Sequence, residues 1–263
     1  MRSSSAAAAD PAEFTAPPHL HCISGGKATA SCFGFNASDS TDPLQAALSA
    51  AGVELLRIDS PAGQPWVVRP LFITRSNLRV EFEPGVQLVA KKDEFHGLND
   101  CLLTLDNVTN VTLTGYGAVL RMHRADYAIP RWPGGCPSCG PYTKAEWRSG
   151  ISLAGVANVL VEGLVVRESG GDGMIISGHA DDDGKVSRDV HVRDCTFERN
   201  YRQGMSVISA ANLLVENVTF SFTNGTAPMA GDCGRPIHCH LSFFLDLVFL
   251  WRHVHYDGVI RLC

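Results

Sequence analysis

From Trp66 onward, apolar and polar positions alternate over short runs. Trp66–Val68, Leu71–Ile73, Leu78–Phe82 and Val86–Ala90 are separated by Pro, Asn and Gly. Alternation of this length with turn punctuation predicts short strands. Three later stretches repeat one pattern in register: GISLAGVANVLVEGLVV from Gly150, GMIISG…SRDVHVRDCTF from Gly173, and GMSVISAANLLVENVTF from Gly204. Each opens with a glycine and a short apolar strand, then reaches a polar residue (Asn158, Asp189, Asn212) that starts a second strand. Asn158 and Asn212 lie eight residues past their glycines, and Asp189 sixteen, because the acidic loop Ala180–Ser187 adds eight. Asn77 and Asn110 mark the same strand-start position earlier, 33 residues apart. Glycines spaced by 23 and then 31 residues define a solenoid of short strands and turns. Inward Val, Ile, Leu and Phe then stack in columns from coil to coil at about 4.8 Å. Function is expected on a lateral face, where inserted loops project.

The ends and the interior of this pattern are distinct. Met1–Pro18 is Ser/Ala/Pro-rich and reads as a disordered leader; the domain is taken to begin at Phe33, with residues 1–32 grouped with the leader. Thr41 or Asp42 can cap a helix with Pro43 in its first turn, and Leu44, Ala47, Leu48 and Ala51 share one face before Gly52 ends it. A short helix there would close the open end of the solenoid. The rhythm breaks into an insertion over residues 121–149, containing WPGGCPSCGPYTKAEWR, and resumes through Phe220. After Gly231 it stops, and residues 231–263 read as an aromatic, His-rich tail foreign to the repeats.

Composition narrows the function classes. The 263 residues are 45% hydrophobic with a net charge of −5 and no basic cluster, which argues against a general nucleic-acid binder. An anionic substrate stays open, because local arginines can line a groove. No apolar run reaches the roughly 18 residues of a membrane span; Leu241–Trp251 is shorter and contains Asp246. Nine cysteines and five Asn-x-Ser/Thr sequons, at Asn36, Asn107, Asn110, Asn217 and Asn224, suit a secreted or cell-wall protein. Asn-Val-Thr is also what a strand-start asparagine followed by β-branched residues spells, and Ala6–Ala9 is too short for a signal-peptide core. The compartment therefore stays open.

The segment GFNASDSTDPLQAALSAAG from Gly34, the coils and the segment GGDGMIISG resemble right-handed parallel β-helix proteins of the pectate-lyase-like superfamily. The opening is similar to the Asp-x-Thr-Asp…Leu-Gln-x-Ala capping segment of its pectate-lyase-3-type branch, and the likeness covers about Phe33 to Ala230. The resemblance implies an all-β fold, a right-handed parallel β-helix (a single-stranded solenoid) with a short N-terminal capping α-helix. It also implies a polysaccharide partner, since members include polygalacturonases, polysaccharide lyases and phage tailspike-type glycosidases. Further coils usually follow TAPMAG in such proteins, so the chain reads as cut short or mis-spliced after Gly231.

Asp172 in SGGDGM leads the catalytic candidates, with flanking glycines expected to leave its carboxylate unobstructed. Polygalacturonases place a catalytic Asp in a comparable Asn-Thr-Asp-Gly context, where paired carboxylates divide acid and base work. Here Gly170-Gly171 replaces Asn-Thr, and the Gly-His-Gly and Arg-Ile-Lys motifs are absent. The competing reading is an aspartate that merely bonds turn amides. Aligning the glycines puts Arg148, Gly171-Asp172 and Arg202-Gln203 in one lateral column, a basic–acidic–basic row able to clamp a uronate. Its bland alternative is an exposed salt-bridge ladder. Second carboxylates are sought at Glu168 and at Asp181, Asp182 and Asp183, which together can also hold calcium. His179 is a further acid/base or substrate-binding candidate, and Trp132, Tyr142 and Trp147 offer faces for sugar rings. No other cofactor is expected. Cys136-Pro-Ser-Cys139 reads as a loop-pinning disulfide rather than a redox motif, and zinc at Cys233, His238, Cys239 and His240 is disfavoured. Hydrolysis is the leading activity, with elimination, or glycan binding without catalysis, as the alternatives.

Overall fold

The computed structural model describes residues 19–128, 142–179 and 185–223. The chain winds as a right-handed parallel β-helix. One sheet has eleven strands, and its main path runs Lys27–Thr29, Leu55–Ile58, Leu78–Phe82, Thr109–Arg121, Ala157–Arg167, Ser187–Arg193 and Ala210–Glu216. The second sheet has five short strands: Leu71–Ile73, Leu103–Asp106, Ile151–Ala154, Met174–Ser177 and Met205–Val207. Strand neighbours in both sheets are parallel, as successive turns of a solenoid must be. The strands expected at Trp66–Val68, Leu71–Ile73 and Leu78–Phe82 form as read, and the fourth spans Gln87–Ala90.

Register fixes the core. Leu78, Val111, Val159, Val190 and Leu213 stack in one inward column, and Val80, Leu113, Val161, Val192 and Val215 in the next on the same sheet. Leu71, Leu103, Ile151 and Met174 form the facing column of the short sheet. Each buried aliphatic side chain contributes about 1.5–3 kcal/mol relative to exposure, so stability is spread along the coils. Phe197 and Phe220, one coil apart, stack with ring centroids 5.6 Å apart.

The strand-start residues form a real column. Asn77, Asn110, Asn158, Asp189 and Asn212 all have φ between 53° and 59°, a left-handed turn that Asn and Asp tolerate better than other side chains. Their side chains bond from coil to coil: Asn110 Nδ2 to Asn77 Oδ1 at 2.9 Å, Asn158 Nδ2 to Asn110 Oδ1 at 3.3 Å, and Asn212 Nδ2 to Asp189 Oδ1 at 2.5 Å. A second ladder joins Asn217 Nδ2 to Asp194 Oδ1 at 2.6 Å. The Asn110 and Asn217 sequons therefore serve the turns.

The capping helix spans Thr41–Ser49 and buries Leu44, Ala47 and Leu48. Its N-terminus is organised by neither Thr41 nor Asp42 as an N-cap: Ser40 occupies that position, and Asp39 Oδ1 accepts from the Thr41 amide at 3.0 Å and the Thr41 hydroxyl at 2.5 Å. Gln45 behaves like an added strand. Its Oε1 accepts from the Phe72 amide at 2.9 Å and its Nε2 donates to the Phe72 carbonyl at 2.8 Å, satisfying the free edge of the short sheet. The leader boundary is corrected, because residues 19–32 are ordered. Lys27–Thr29 pairs with Leu55–Arg57, and a disulfide joins Cys22 to Cys32. Residues 1–18, residues 129–141 of the insertion, the acidic triad and the tail lie outside the described residues.

Candidate functional site

The site is built on the turn that enters the short sheet. Ile151, Met174 and Met205 are paired neighbours, so Gly150, Gly173 and Gly204 align one residue earlier, as the sequence reading requires. Close stacking of the coils enforces these glycines. A Cβ on Gly173 would lie 2.5 Å from the Gly204 carbonyl oxygen, and one on Gly150 would lie 2.8 Å from that of Gly173. The turns themselves are bonded from coil to coil, Gly150 N–H to the Asp172 carbonyl at 3.0 Å and Gly173 N–H to the Gln203 carbonyl at 2.9 Å.

The register holds, but the side chains do not form the expected row. Arg148 is fully buried and turned away from Asp172. Its guanidinium carbon lies 5.2 Å from the Tyr127 ring centroid and 5.4 Å from that of Tyr142, and Nη2 donates to the Gly97 and Thr143 carbonyls at 3.2 Å each. Its Nε and Nη1 are buried with no acceptor among the described residues, and desolvation pulls its pKa below the usual arginine range. Arg148 therefore braces the base of the insertion and does not face a groove. Tyr142 is 1% exposed and packs edge-on against Tyr127 at 4.8 Å, so it offers no face to a sugar. Trp147, by contrast, is 44% exposed, as a stacking residue must be.

Asp172 is 0% exposed, which overturns the expectation of an unobstructed carboxylate. Arg202 grips it with two bonds, Nε to Oδ1 at 2.8 Å and Nη2 to Oδ2 at 3.0 Å. The third arginine nitrogen, Nη1, binds Glu146 Oε2 at 2.7 Å. Ser206 completes the constellation: its hydroxyl accepts from Arg202 Nη2 at 3.0 Å and donates to Gln203 Oε1 at 2.7 Å. Burial pushes the Asp172 carboxyl above its ordinary range, against the pull of the Arg202 pair. Desolvation opposes the charge on Arg202, but hydrogen bonds to Asp172 and the charges of Asp172 and Glu146 outweigh it and raise that pKa.

A strap over residues 144–148 covers Asp172. A Cβ on Gly171 would lie 2.3 Å from the Glu146 carbonyl oxygen, so the strap crosses directly over that glycine. The Cys101 thiol donates to the Trp147 carbonyl at 3.1 Å, and burial pushes its pKa up to about 11. The Glu146 side chain is 38% exposed, which makes it the accessible carboxylate of the group. Sequence reading missed Glu146 and Ser206, because neither sits in a motif and only the strap brings Glu146 to Arg202.

The remaining candidates fall elsewhere. His179 lies 3.5 Å from Asp106 across two coils, at the opposite end of the short strands, and its side chain is 16% exposed. Glu168 has φ 58° and its carboxylate reaches Arg121 at 3.4 Å, so it holds a corner. Trp132, Asp181, Asp182, Asp183, Cys136 and Cys139 lie outside the described residues.

Comparison with known proteins agrees with the architecture. The sequence profile of the right-handed β-helix region matches residues 138–238. YclG, an uncharacterized protein of Bacillus subtilis (strain 168), is 27% identical over 128 residues, 46% of this chain. The aligned stretch spans only 20% of that relative's length. Among solved structures, a protein from Parabacteroides merdae ATCC 43184 whose proposed activity is glycosyl hydrolysis superposes with a TM-score of 0.57 at 15% identity, covering 76% of this chain and 90% of that one. A 1,3-α-1,4-β-D-galactose-4-sulfate-3,6-anhydro-D-galactose-2-sulfate 4-galactohydrolase superposes with a TM-score of 0.55 at 14% identity, covering 80% of this chain and 48% of that one. The profile match and the superpositions agree that the chain folds as a right-handed parallel β-helix.

Proposed function

We propose that the chain acts on a polysaccharide as a glycoside hydrolase-like protein, with Asp172, Arg202 and Glu146 at its centre. One observation carries this reading: two carboxylates at the turn that enters the short sheet share a single guanidinium. Their spacing is thereby set by the span of one arginine, on the order of the roughly 5–9 Å that separates paired glycosidase acids. Burial raises the pKa of Asp172, the direction needed in an acid that protonates a leaving oxygen. Glu146 is then left to activate water or attack. The strap must shift for a sugar to reach Asp172 while the Arg202 bond keeps Glu146 beside it. The two similar hydrolase structures support the substrate class.

Elimination with an arginine base fits less well, because two carboxylates raise the pKa of Arg202 and make it a poorer proton acceptor. Binding without catalysis is the second reading, and the complete burial of Asp172 favours it. Incubation with a panel of neutral, uronate-containing and sulfated polysaccharides separates the three. Hydrolysis gives new reducing ends without ultraviolet-absorbing unsaturated ends, and both Asp172→Asn and Glu146→Gln lose that activity. Unsaturated products would replace the proposal with a lyase. Glycan binding without products from any polymer would leave a binding module.

A further inference from the structure

At the opposite end of the helix, the N-terminal segment gathers three potential metal ligands, His21, Cys22 and Cys32, with the His19 imidazole nearby, and the polysaccharide site uses none of them. The sequence His19-Leu20-His21-Cys22 precedes a strand and a turn that return the chain to Cys32. One ligand atom from each of His21, Cys22 and Cys32 lies within 4.8 Å of the others. His21 Nε2 is 3.5 Å from Cys22 Sγ. Two ligands on one tetrahedral zinc, with bonds of about 2.05 Å to nitrogen and 2.3 Å to sulfur, stand about 3.6 Å apart. The His19 ring lies 6.3 Å from the His21 ring, centroid to centroid, and 5.1 Å from the Phe33 ring, so a rotation about its side-chain bonds is needed to bring it onto the cluster. Cys22 is buried while His21 and Cys32 are exposed, so an ion has an entry path.

We propose that His19, His21, Cys22 and Cys32 form a redox-gated site for a thiophilic divalent cation such as zinc. In the oxidised protein the two sulfurs are joined to each other. Reduction breaks the Sγ–Sγ bond with two electrons and two protons from a dithiol, which becomes its own disulfide. Zinc then displaces the two thiol protons to solvent and forms two Sγ–Zn bonds, with the neutral imidazoles supplying the other two ligands. The sulfurs must part to about 3.8 Å for tetrahedral zinc, and the Cα–Cα distance of 5.6 Å leaves room for that through side-chain rotation.

Contacts besides the disulfide hold the scaffold. Lys27–Thr29 is paired with the next coil, and Ala30 and Phe33 are buried in the core. Ligands held by an already folded segment bind a metal without first having to order the chain. Disulfide and zinc would each close the same loop, so the cap keeps its shape in both redox states.

The test uses the full chain reduced with a phosphine and titrated with cobalt(II), whose sulfur-to-metal charge-transfer band reports thiolate ligation. The reduced protein should bind one more equivalent showing that band than Cys32→Ser does, and the oxidised protein should lack that equivalent. Cysteines elsewhere contribute equally to the reduced protein and the variant, so the difference isolates this site. Loss of an outer partner costs about 10–100-fold in metal affinity, so His21→Ala, which removes a direct ligand, should cost more than about 100-fold. A second measurement needs no variant: zinc should slow alkylation of Cys22 and Cys32 in the reduced wild-type protein, read by peptide mass. Equal cobalt uptake by wild type and Cys32→Ser, or alkylation of these two cysteines unchanged by zinc, would overturn the proposal.

Discussion

Arg148 and Arg202 occupy the same register position two coils apart, and their surroundings have almost nothing in common. Arg202 has a carboxylate on each side and a hydroxyl besides, so four of its five polar hydrogens are bonded. Arg148 lies between two tyrosine rings with two carbonyl acceptors, two buried nitrogens unsatisfied, and no ion pair among the described residues. Repeat register therefore sets where a Cα lies, whereas the neighbouring coil and the inserted loop decide what a side chain meets. One arginine is the hub of a polar site and the other is a wedge under a loop.

Substitution should separate them most sharply in stability. Arg202→Met strands the fully buried Asp172 carboxylate, and breaking a buried pair this way costs about 3–5 kcal/mol. Arg148→Met removes a buried, incompletely bonded charge from an aromatic sandwich. Replacing such a charge with a well-packed apolar side chain is often neutral or stabilising by about 1–4 kcal/mol. Urea unfolding of both variants measures the difference, and equal losses would dissolve the distinction.

The glycines between the two arginines sharpen the contrast at lower cost. A Cβ on Gly170 would meet Arg148 Cδ at 2.6 Å and the Tyr127 ring at 2.8 Å, whereas one on Gly171 would meet the Glu146 carbonyl at 2.3 Å. Each Gly→Ala should cost about 1–3 kcal/mol, the usual range for overpacking. Only Gly171→Ala should lift the strap. Cys101, which donates to the Trp147 carbonyl, should then become reactive to an alkylating agent. If Gly170→Ala exposes Cys101 equally, the strap and the wedge are one unit.

The sequence revealed the solenoid because its turns impose residue types. Asn110, Asn158, Asp189 and Asn212 need side chains that tolerate positive φ and bond onward, so they recur at a readable spacing. The site was legible only as a column of Cα positions. Burial of Arg148 depends on Tyr127 and Tyr142 arriving from either end of an insertion that has no repeat. Glu146 is brought to Arg202 by a bridge of 56 residues in sequence, which leaves no local pattern. The ordered segment before Phe33 was hidden by grouping it with the low-complexity leader, although Lys27–Thr29 pairs as an added strand.

Acidity should distinguish the Asp172 end of this hub from the cap. Asp172 has a folded pKa above its unfolded value of about 3.9. The native state therefore binds its proton more tightly between those values, and this group's contribution to stability falls as pH rises through that window and is level above it. Asp39 behaves oppositely. Desolvation would raise its pKa, but hydrogen bonds from Thr41 and Lys91 outweigh that and lower it, so its contribution is present at neutral pH and lost as pH falls below about 4. Denaturation across pH 3–7 should show Asp172→Asn and Asp39→Asn changing the slope in opposite directions. Neither change can exceed about 1.4 kcal/mol per pH unit. Slopes shifted the same way by both variants would refute the assignment for Asp172.

The smallest stability effect is expected where the functional claim is strongest. Glu146 holds the outer nitrogen of Arg202, but its side chain is 38% exposed and water can take its place. Exposed pairs contribute about 0–1 kcal/mol, so Glu146→Gln should leave the unfolding midpoint within that margin. It should nevertheless loosen the strap, because the amide keeps the shape and loses the charge that Arg202 Nη1 binds. Hydrogen exchange over residues 143–149 should quicken in this variant while the Asn110–Asn158 ladder stays protected. An Arg148→Met protein tested in parallel should leave exchange at Tyr127 and Tyr142 no faster than in wild type and the Arg202–Asp172 bonds intact. Strap exchange equal to wild type in Glu146→Gln would mean that Cys101 and close packing over Gly171 hold the cover down, and that Glu146 is a passenger on it.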